Sequence, residues 1–217
     1  MPPVTHVAVF DLDGTLTWHD TFIGFLAGYA RRQGRRWRVL LSPPALLAFG
    51  LHRDRGLLKQ RLIRLFMRGD SRAPVDAWAG EFAASTLAGG MRAQALQVLE
   101  RHREAGHLLV LLSASPDLYV PRIGARLRMD RVICTEVSYV GDRLDGALLT
   151  PNRRGEEKVR CLSALRSEFP EARFSAYGNA ASDIAHLVLA DEALLVNGNS
   201  RARAEAARRH LGCADWR

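Results

Sequence analysis

The sequence predicts an α/β fold: a Rossmann-like, doubly wound parallel sheet with a helical cap inserted after the first strand. Three observations predict it. Short apolar runs rich in Val, Leu and Ile recur along the chain, separated by helical stretches, so strands and helices alternate. Within these runs the apolar residues are consecutive instead of alternating, as in strands covered on both faces. The alternation is interrupted once, after Trp18, by a helical stretch far longer than a connection needs.

Each element has its own reason. "VTHVAVF" (4–10) is β-branched and aromatic and stops at Asp11, as a buried strand does. Residues 20–88 read as mostly helical, with "SPP" (42–44) and "SRAP" (71–74) as breakers. Residues 91–105 form an amphipathic pattern closed by Gly106. "HLLVLLS" (107–113) is a second buried strand and "PDLYVPRIGARL" a helix. "RVICTEVSYV" and "GALLT" flank "GDRLDG", which predicts a strand and a hairpin with Asp142 and Asp145 as turn residues. "GEEKVRCLSALRSEF" is a helix, "RFSAYG" a third core strand, "SDIAHLVLA" a helix, "ALLVN" a fourth strand and "SRARAEAARRH" a closing helix. The predicted organisation is a core domain of residues 1–18 and 89–217 and a cap of residues 19–88.

The bulk numbers agree with one core domain plus an insertion. The chain has 217 residues, 47% hydrophobic and 25% charged, an ordinary globular balance. Cys134, Cys161 and Cys213 are far apart and match no metal spacing. So odd and sparse a set predicts reduced thiols in a cytoplasmic protein. "MPPVTHVAVF" has neither a basic n-region nor a long apolar h-region, so no secretory signal is expected. No uncharged apolar run reaches the length of a spanning helix.

The charge is concentrated in one segment. The whole chain carries +8. Residues 31–72 hold 12 basic residues against Asp54 and Asp70, a net +10, which leaves −2 for the remainder.

The chemistry-bearing residues fall where the strands end, the place at which open parallel sheets bind ligands. Asp11 and Asp13 follow the first strand, Ser113 ends the second, Asn179 and Asp183 follow the third, and Lys158 opens a helix between them. Carboxylates, a hydroxyl and one amine suit phosphoryl transfer assisted by a divalent cation. Hard oxygen ligands hold Mg²⁺, a lysine and a hydroxyl offset phosphate charge, and a carboxylate can be the nucleophile. His6, His19, His102, His107 and His186 show no ligand spacing and read as structural or surface residues.

"DLDGTLT" (11–17) resembles the first motif of the haloacid-dehalogenase-like phosphatases, Asp-x-Asp-Gly-Thr after a strand. "LLVLLS" ending at Ser113 is similar to their second motif, Lys158 in "GEEKV" to their third, and "GNAASD" (178–183) to their fourth, with Asn179 where Asp is usual. The four occur in the family's order and span nearly the whole chain. The nearest branch is the phosphoserine-phosphatase-like one. "LLSASPDLYV" and "GEEKV" resemble a subgroup of it that includes phosphatidylglycerophosphatase C.

The resemblance implies roles. Asp11 attacks phosphorus and becomes an aspartyl-phosphate. Asp13 protonates the leaving alcohol and then activates water. Thr15, Ser113 and Lys158 hold phosphoryl oxygens. Mg²⁺ sits on Asp11, the Asp13 main-chain carbonyl and the fourth-motif residues Asn179 and Asp183. An amide oxygen at Asn179 brings no charge, so weaker metal binding is expected. Adjacent carboxylates with separated pKa values can divide the work of nucleophile and acid.

The cap bears on the substrate. Val39–Leu51 is apolar for 13 residues, broken by Pro43 and Pro44 and bracketed by arginines. It is too short to span a bilayer but long enough to lie in the interface, with Trp37 and the arginines at headgroup level. The first expectation is therefore a lipid phosphate such as phosphatidylglycerophosphate, cleaved by a cytoplasmic protein peripheral to the inner face of the membrane through residues 31–72. The second is a soluble phosphomonoester: phosphoserine, a sugar phosphate or a nucleotide. The third is a non-catalytic phosphate-binding protein. Few aromatics accompany the arginines, which ranks nucleic acid low as a partner. No protein partner is inferable.

Overall fold

The computed structural model describes residues 4–42, 50 and 54–217. Among these, the chain runs β1 (His6–Phe10), α1 (Thr21–Arg32), a 3₁₀ segment (Arg36–Leu41), α2 (Arg55–Met67), α3 (Arg72–Gly89), α4 (Ala93–Glu104), β2 (Leu108–Pro116), α5 (Val120–Arg126), β3 (Arg131–Thr135), β4 (Val137–Val140), β5 (Arg143–Leu148), α6 (Glu156–Glu168), β6 (Arg173–Gly178), α7 (Ile184–Leu187), β7 (Glu192–Val196), α8 (Ser200–Arg208) and β8 (Gly212–Ala214).

The described strands form one parallel sheet in the order β3-β2-β1-β6-β7-β8, and β4 and β5 form a separate antiparallel pair. This is the doubly wound architecture expected. β1 lies at the centre, with Val9 opposite Val110 of β2 on one side and Ala176 of β6 on the other. The chain winds outward from β1 in one direction and returns to its other side at β6. The switch point is therefore at the carboxyl ends of β1 and β6, where such sheets bind ligands.

The period of two in a strand divides the core. Ala8 and Phe10 point into a core shared with α1–α5, whereas Val7 and Val9 point into one built from α6, α7 and α8. Both sides are apolar because both are covered, the reason β1 and β2 read as continuous apolar runs. On the first side, α1 and α3 approach closely at Gly28. A Cβ there would lie 2.2 Å from the Trp78 ring, whose Nε1 donates to the Phe25 carbonyl at 3.0 Å. Phe25 stacks on Tyr119 beside this contact and Phe82 meets both rings edge to face, with centroids 4.5–5.3 Å apart.

Several elements differ from the sequence expectation for local reasons. "RVICTEVSYV" is not one strand: it breaks at Glu136, β3 staying in the main sheet while β4 leaves to pair with β5. The β4–β5 reversal is confined to Gly141 and Asp142, with Gly141 at φ 57°. Asp145 is then a strand residue whose carboxylate pairs with Arg64 at 3.0 Å and accepts from Ser138. The helix expected over "SDIAHLVLA" shortens to Ile184–Leu187. The short edge strand β8 carries too little apolar pattern to be read from sequence.

The β4–β5 hairpin packs on α2 and on the link after it. Gly69 N–H donates to the Leu144 carbonyl and Leu144 N–H to the Asp70 carbonyl. Many arginines of the basic segment are engaged within the protein. Arg35 pairs with Asp70 at 2.6 Å, Arg32 with Glu81, Arg68 with Asp145, and the Arg38 guanidinium donates to the Leu65 carbonyl. Trp37, Val39, Leu40 and Leu41 of the 3₁₀ segment are exposed, Leu40 by 80%. Residues 43–49 and 51–53 of the apolar stretch lie outside the described residues. Among the described residues no helix is long and apolar enough to cross a membrane. Cys134 and Cys161 are buried and Cys213 is exposed, none of them paired.

Leu111 is fully buried in β2 between β1 and β3. Leu111→Ala is expected to cost about 2–5 kcal/mol by leaving a cavity. In urea unfolding this appears as a lower midpoint with an unchanged slope.

Candidate active site

The first strand ends in a tight turn. Asp11 N–H still donates to the Tyr177 carbonyl of β6, continuing the ladder by one residue. The chain then coils through Leu12–Leu16, and Gly14 takes φ 80°. A Cβ on Gly14 would lie 2.1 Å from Asn179 Nδ2, so glycine serves both the left-handed turn and the close approach of the loop after β6. The turn brings Thr15 back under Asp11: its hydroxyl donates to Asp11 Oδ2 at 2.9 Å.

Lys158 joins two loops. It lies in the first turn of α6, fully enclosed, and its ammonium reaches Asp11 Oδ1 at 2.6 Å and Asp183 Oδ1 at 2.9 Å. The other oxygen of Asp183 accepts from the backbone N–H of Asn179 at 3.2 Å and of Ala180 at 2.9 Å. Thus Asp11, Thr15, Lys158 and Asp183 form one hydrogen-bonded group, with Asn179 held against Gly14 beside it.

Charge balance sets the protonation of this group. One ammonium serves two carboxylates. Burial would raise Asp183, but Lys158 outweighs it, helped by the Ala180 N–H, and brings the carboxyl down to about 2. Burial raises Asp11 to about 6 against the pull of the same ammonium, because Asp183 already uses it. Burial would lower Lys158, but the two carboxylates hold it above its ordinary value.

Asp13 belongs to a second network. Its Oδ1 accepts from Thr21 N–H at 2.7 Å and Thr21 Oγ1 at 2.6 Å, and its Oδ2 accepts from Ser115 Oγ at 2.6 Å. Since the Thr21 hydroxyl donates to Asp13, the Tyr119 hydroxyl 2.8 Å away donates to Thr21. Burial raises the Asp13 carboxyl, followed by the charge of Asp20, against these hydrogen bonds. Ser113 is fully buried in β2 and its hydroxyl accepts from Ser115 N–H at 3.0 Å. It sets the bend from which Ser115 reaches Asp13.

A cavity of 240 Å³ opens beside Asp13 and Ser115, between the strand ends and α1 and α2. Arg55, Lys59 and Arg154 supply its cationic lining, Phe22, Ile23 and Leu58 its apolar wall. Lys59 is buried, donates to the Ala114 carbonyl and to Asn152 Oδ1 at 2.6 Å, and burial lowers it to about 8. Sequence reasoning missed Ser115, Thr21, Tyr119, Lys59 and Arg154. Ser115 stands two residues after Ser113 in "SAS", so it was within reach of a motif reading. Thr21, Lys59 and Arg154 carried no local signal, because only the packing of α1, α2 and the loop before α6 turns them toward Asp13.

The donor set suits a hard divalent cation. Asp11, the Asp13 carbonyl, Asn179 and Asp183 offer oxygen, and the group built on Lys158 has one more buried negative charge than positive. That imbalance is what a bound cation would neutralise.

Residues 8–187 match the haloacid dehalogenase-like hydrolases, and the chain belongs to that family. It is 37% identical over 191 residues to protein CicA of Caulobacter vibrioides, covering 86% of this chain and 83% of that protein. A solved structure from Bordetella pertussis Tohama I, of a protein with unknown function, superposes with a TM-score of 0.85 at 19% identity over 98% of this chain and 99% of that one. A phosphoserine phosphatase solved as a phospho-aspartyl intermediate analogue gives a TM-score of 0.68 at 14% identity, covering 98% and 93%. The fold is that of the phosphoserine-phosphatase-like branch of the family.

Two outcomes test this site. With divalent ions removed by EDTA, the raised Asp11 carboxyl binds its proton more tightly folded than unfolded between about pH 4 and pH 6. Asp11 should therefore make the unfolding free energy decline as pH rises through that window, by up to about 1.4 kcal/mol per pH unit, and Asp11→Asn should make the decline shallower, the part due to the similarly raised Asp117 remaining. Gly14→Ala should displace Asn179 and strain the turn, costing about 1–3 kcal/mol in thermal or urea unfolding.

Proposed function

We propose that the protein is a Mg²⁺-dependent phosphomonoester hydrolase that works through an aspartyl-phosphate on Asp11. The observation that carries this reading is the pairing of two unlike carboxylates. Asp11 sits on Lys158 and Thr15, the donors a phosphoryl group needs, and Asp13 is oriented by Thr21 and Ser115 in a site whose burial, with the charge of Asp20, raises its carboxyl against those hydrogen bonds.

In this reading Asp11 attacks phosphorus, and the bond from phosphorus to the leaving oxygen breaks as its own forms. Asp13 gives its proton to the departing alkoxide, while Ser115 and Thr21 keep it pointed at the cavity. Asp13, now ionised, takes a proton from the water that hydrolyses the aspartyl-phosphate. Lys158, Thr15 and Ser113 face the phosphoryl oxygens as charge develops on them. Asp11, the Asp13 carbonyl, Asn179 and Asp183 would hold Mg²⁺, which would supply charge neutralisation at the phosphoryl group. Residues 19–88 serve as the cap, with the β4–β5 hairpin packed on it.

The substrate reading is a lipid phosphate such as phosphatidylglycerophosphate. It is favoured by the exposed Trp37, Val39, Leu40 and Leu41, an apolar step flanked by arginines beside the cap helices. Such a segment can insert at headgroup level while Arg55, Lys59 and Arg154 draw the anionic headgroup toward Asp13. A soluble phosphomonoester is the second reading, favoured by the modest size and cationic lining of the cavity beside Asp13.

Phosphate release with Mg²⁺ tests the chemistry. Asp11→Asn should lose at least about 10³-fold in kcat, and no turnover by the wild type on any phosphomonoester overturns the reading. Phosphatidylglycerophosphate in mixed micelles, run beside phosphoserine, sugar phosphates and nucleotides, separates the two substrates. If lipid is the substrate, anionic vesicles bind the protein in a salt-sensitive way, and Leu40→Glu weakens that binding about tenfold or more while a soluble test ester is still cleaved.

A further inference from the structure

Three histidines that look unrelated in sequence meet at the opposite end of the sheet from Asp11. His6 is the first residue of β1, His102 lies in α4, and His107 follows the Gly106 turn just before β2. One ring nitrogen from each lies within 4.8 Å of the others, the one such grouping of metal-capable side chains among the described residues. His6 and His107 stack with centroids 4.0 Å apart, and the ring nitrogens His102 Nδ1 and His107 Nδ1 are 2.7 Å apart.

We propose that His6, His102 and His107 bind a divalent transition metal, zinc in the first instance, at a site separate from the catalytic carboxylates. Imidazole nitrogen is the ligand type that zinc accepts and magnesium does not favour. The rings are also held from behind. Tyr177 OH is 2.8 Å from His102 Nε2, which leaves Nδ1 of that ring for the ion. Ser175 Oγ is 2.8 Å from His6 Nε2 and itself donates to Glu192 at 3.4 Å. Partners on the far nitrogen are the arrangement that orients ligating histidines and fixes their tautomers.

In the metal-free protein the two facing Nδ1 atoms share one hydrogen. An ion in its place needs both lone pairs, so that hydrogen moves to the Nε2 of its own ring and no net proton is lost. Zinc bonds of about 2.0–2.1 Å require the two nitrogens to part by about half an ångström and the His6 ring to turn out of its stack on His107, so that its in-plane lone pair meets the ion. Three rings leave the fourth position to solvent. A groove of 580 Å³ lined by Gln94, Arg101, Asp215 and Trp216 opens beside His102 and His107.

Asp11 lies five residue steps along the strand from His6, about 17 Å. The ion would tie α4 and the start of β2 to β1, and would stabilise the fold without touching the phosphoryl site.

The test is a Co²⁺ titration of the full chain followed by Zn²⁺ displacement, both with excess Mg²⁺ present to fill the oxygen site. One equivalent of Co²⁺ should give the intense visible bands of a low-coordinate nitrogen site, Zn²⁺ should abolish them, and Zn²⁺ should raise the thermal midpoint. His107→Gln and His6→Gln should each weaken binding about 10–100-fold with Mg²⁺-dependent turnover unchanged. The proposal is overturned if the wild type shows only weak bands, if Mg²⁺ competes the Co²⁺ away, or if His107→Gln, folded by circular dichroism, binds Co²⁺ as the wild type does.

Discussion

The structure turns on Lys158. An ammonium buried between two carboxylates is costly unless its partners are fixed, and here they come from elements far apart in sequence: Asp11 from the end of β1, Asp183 from the loop after β6. The ion pairs pin α6 to both sides of the topological switch point. They also divide the carboxylates. Asp183 has backbone N–H groups as well as Lys158 and is held low, while Asp11 shares the remainder and is raised by burial to about 6. A buried group with one negative charge too many is poised to accept a cation or to hand its electrons to an electrophile. That poise is what a phosphoryl-transfer site requires.

The second network is built on the opposite principle. Asp13 is held by three donors instead of by the Lys158 ammonium, and burial raises its carboxyl. Two residues apart on one turn, Asp11 and Asp13 are thus treated differently by their surroundings, one by a charge and one by hydroxyls. Gly14 makes the separation of the two environments feasible, because its φ of 80° turns the chain between them and admits Asn179 at close range.

α1 and α2 wall the cavity beside Asp13, and the arginines in and after them have more than one use. Arg35 and Arg64 hold Asp70 and Asp145, fastening the link after α2 and the hairpin, while Arg55 lines the cavity. A net charge of +10 read from residues 31–72 overstates the field presented outward, since part of it is matched by acids within the fold. What remains outward beside the exposed 3₁₀ segment is an apolar edge with basic flanks.

The sequence alone determined the sheet and the positions of Asp11, Asp13, Ser113, Lys158 and Asp183 near its carboxyl ends. Buried parallel strands must be apolar on both faces, and a motif confined to one turn is legible as a short string. Tertiary structure decided what no string could carry. It split "RVICTEVSYV" at Glu136, because β4 finds its partner in β5 and its packing on α2. It brought Ser115, Thr21 and Tyr119 around Asp13 and sent Lys59 across from α2, since a helix directs its side chains by packing and not by spacing. It also gathered His6, His102 and His107, which showed no ligand spacing. The register of β1 on β2 sets Val7 opposite Leu108 and so brings His6 beside His107, and only the packing of α4 on the sheet adds His102 to them.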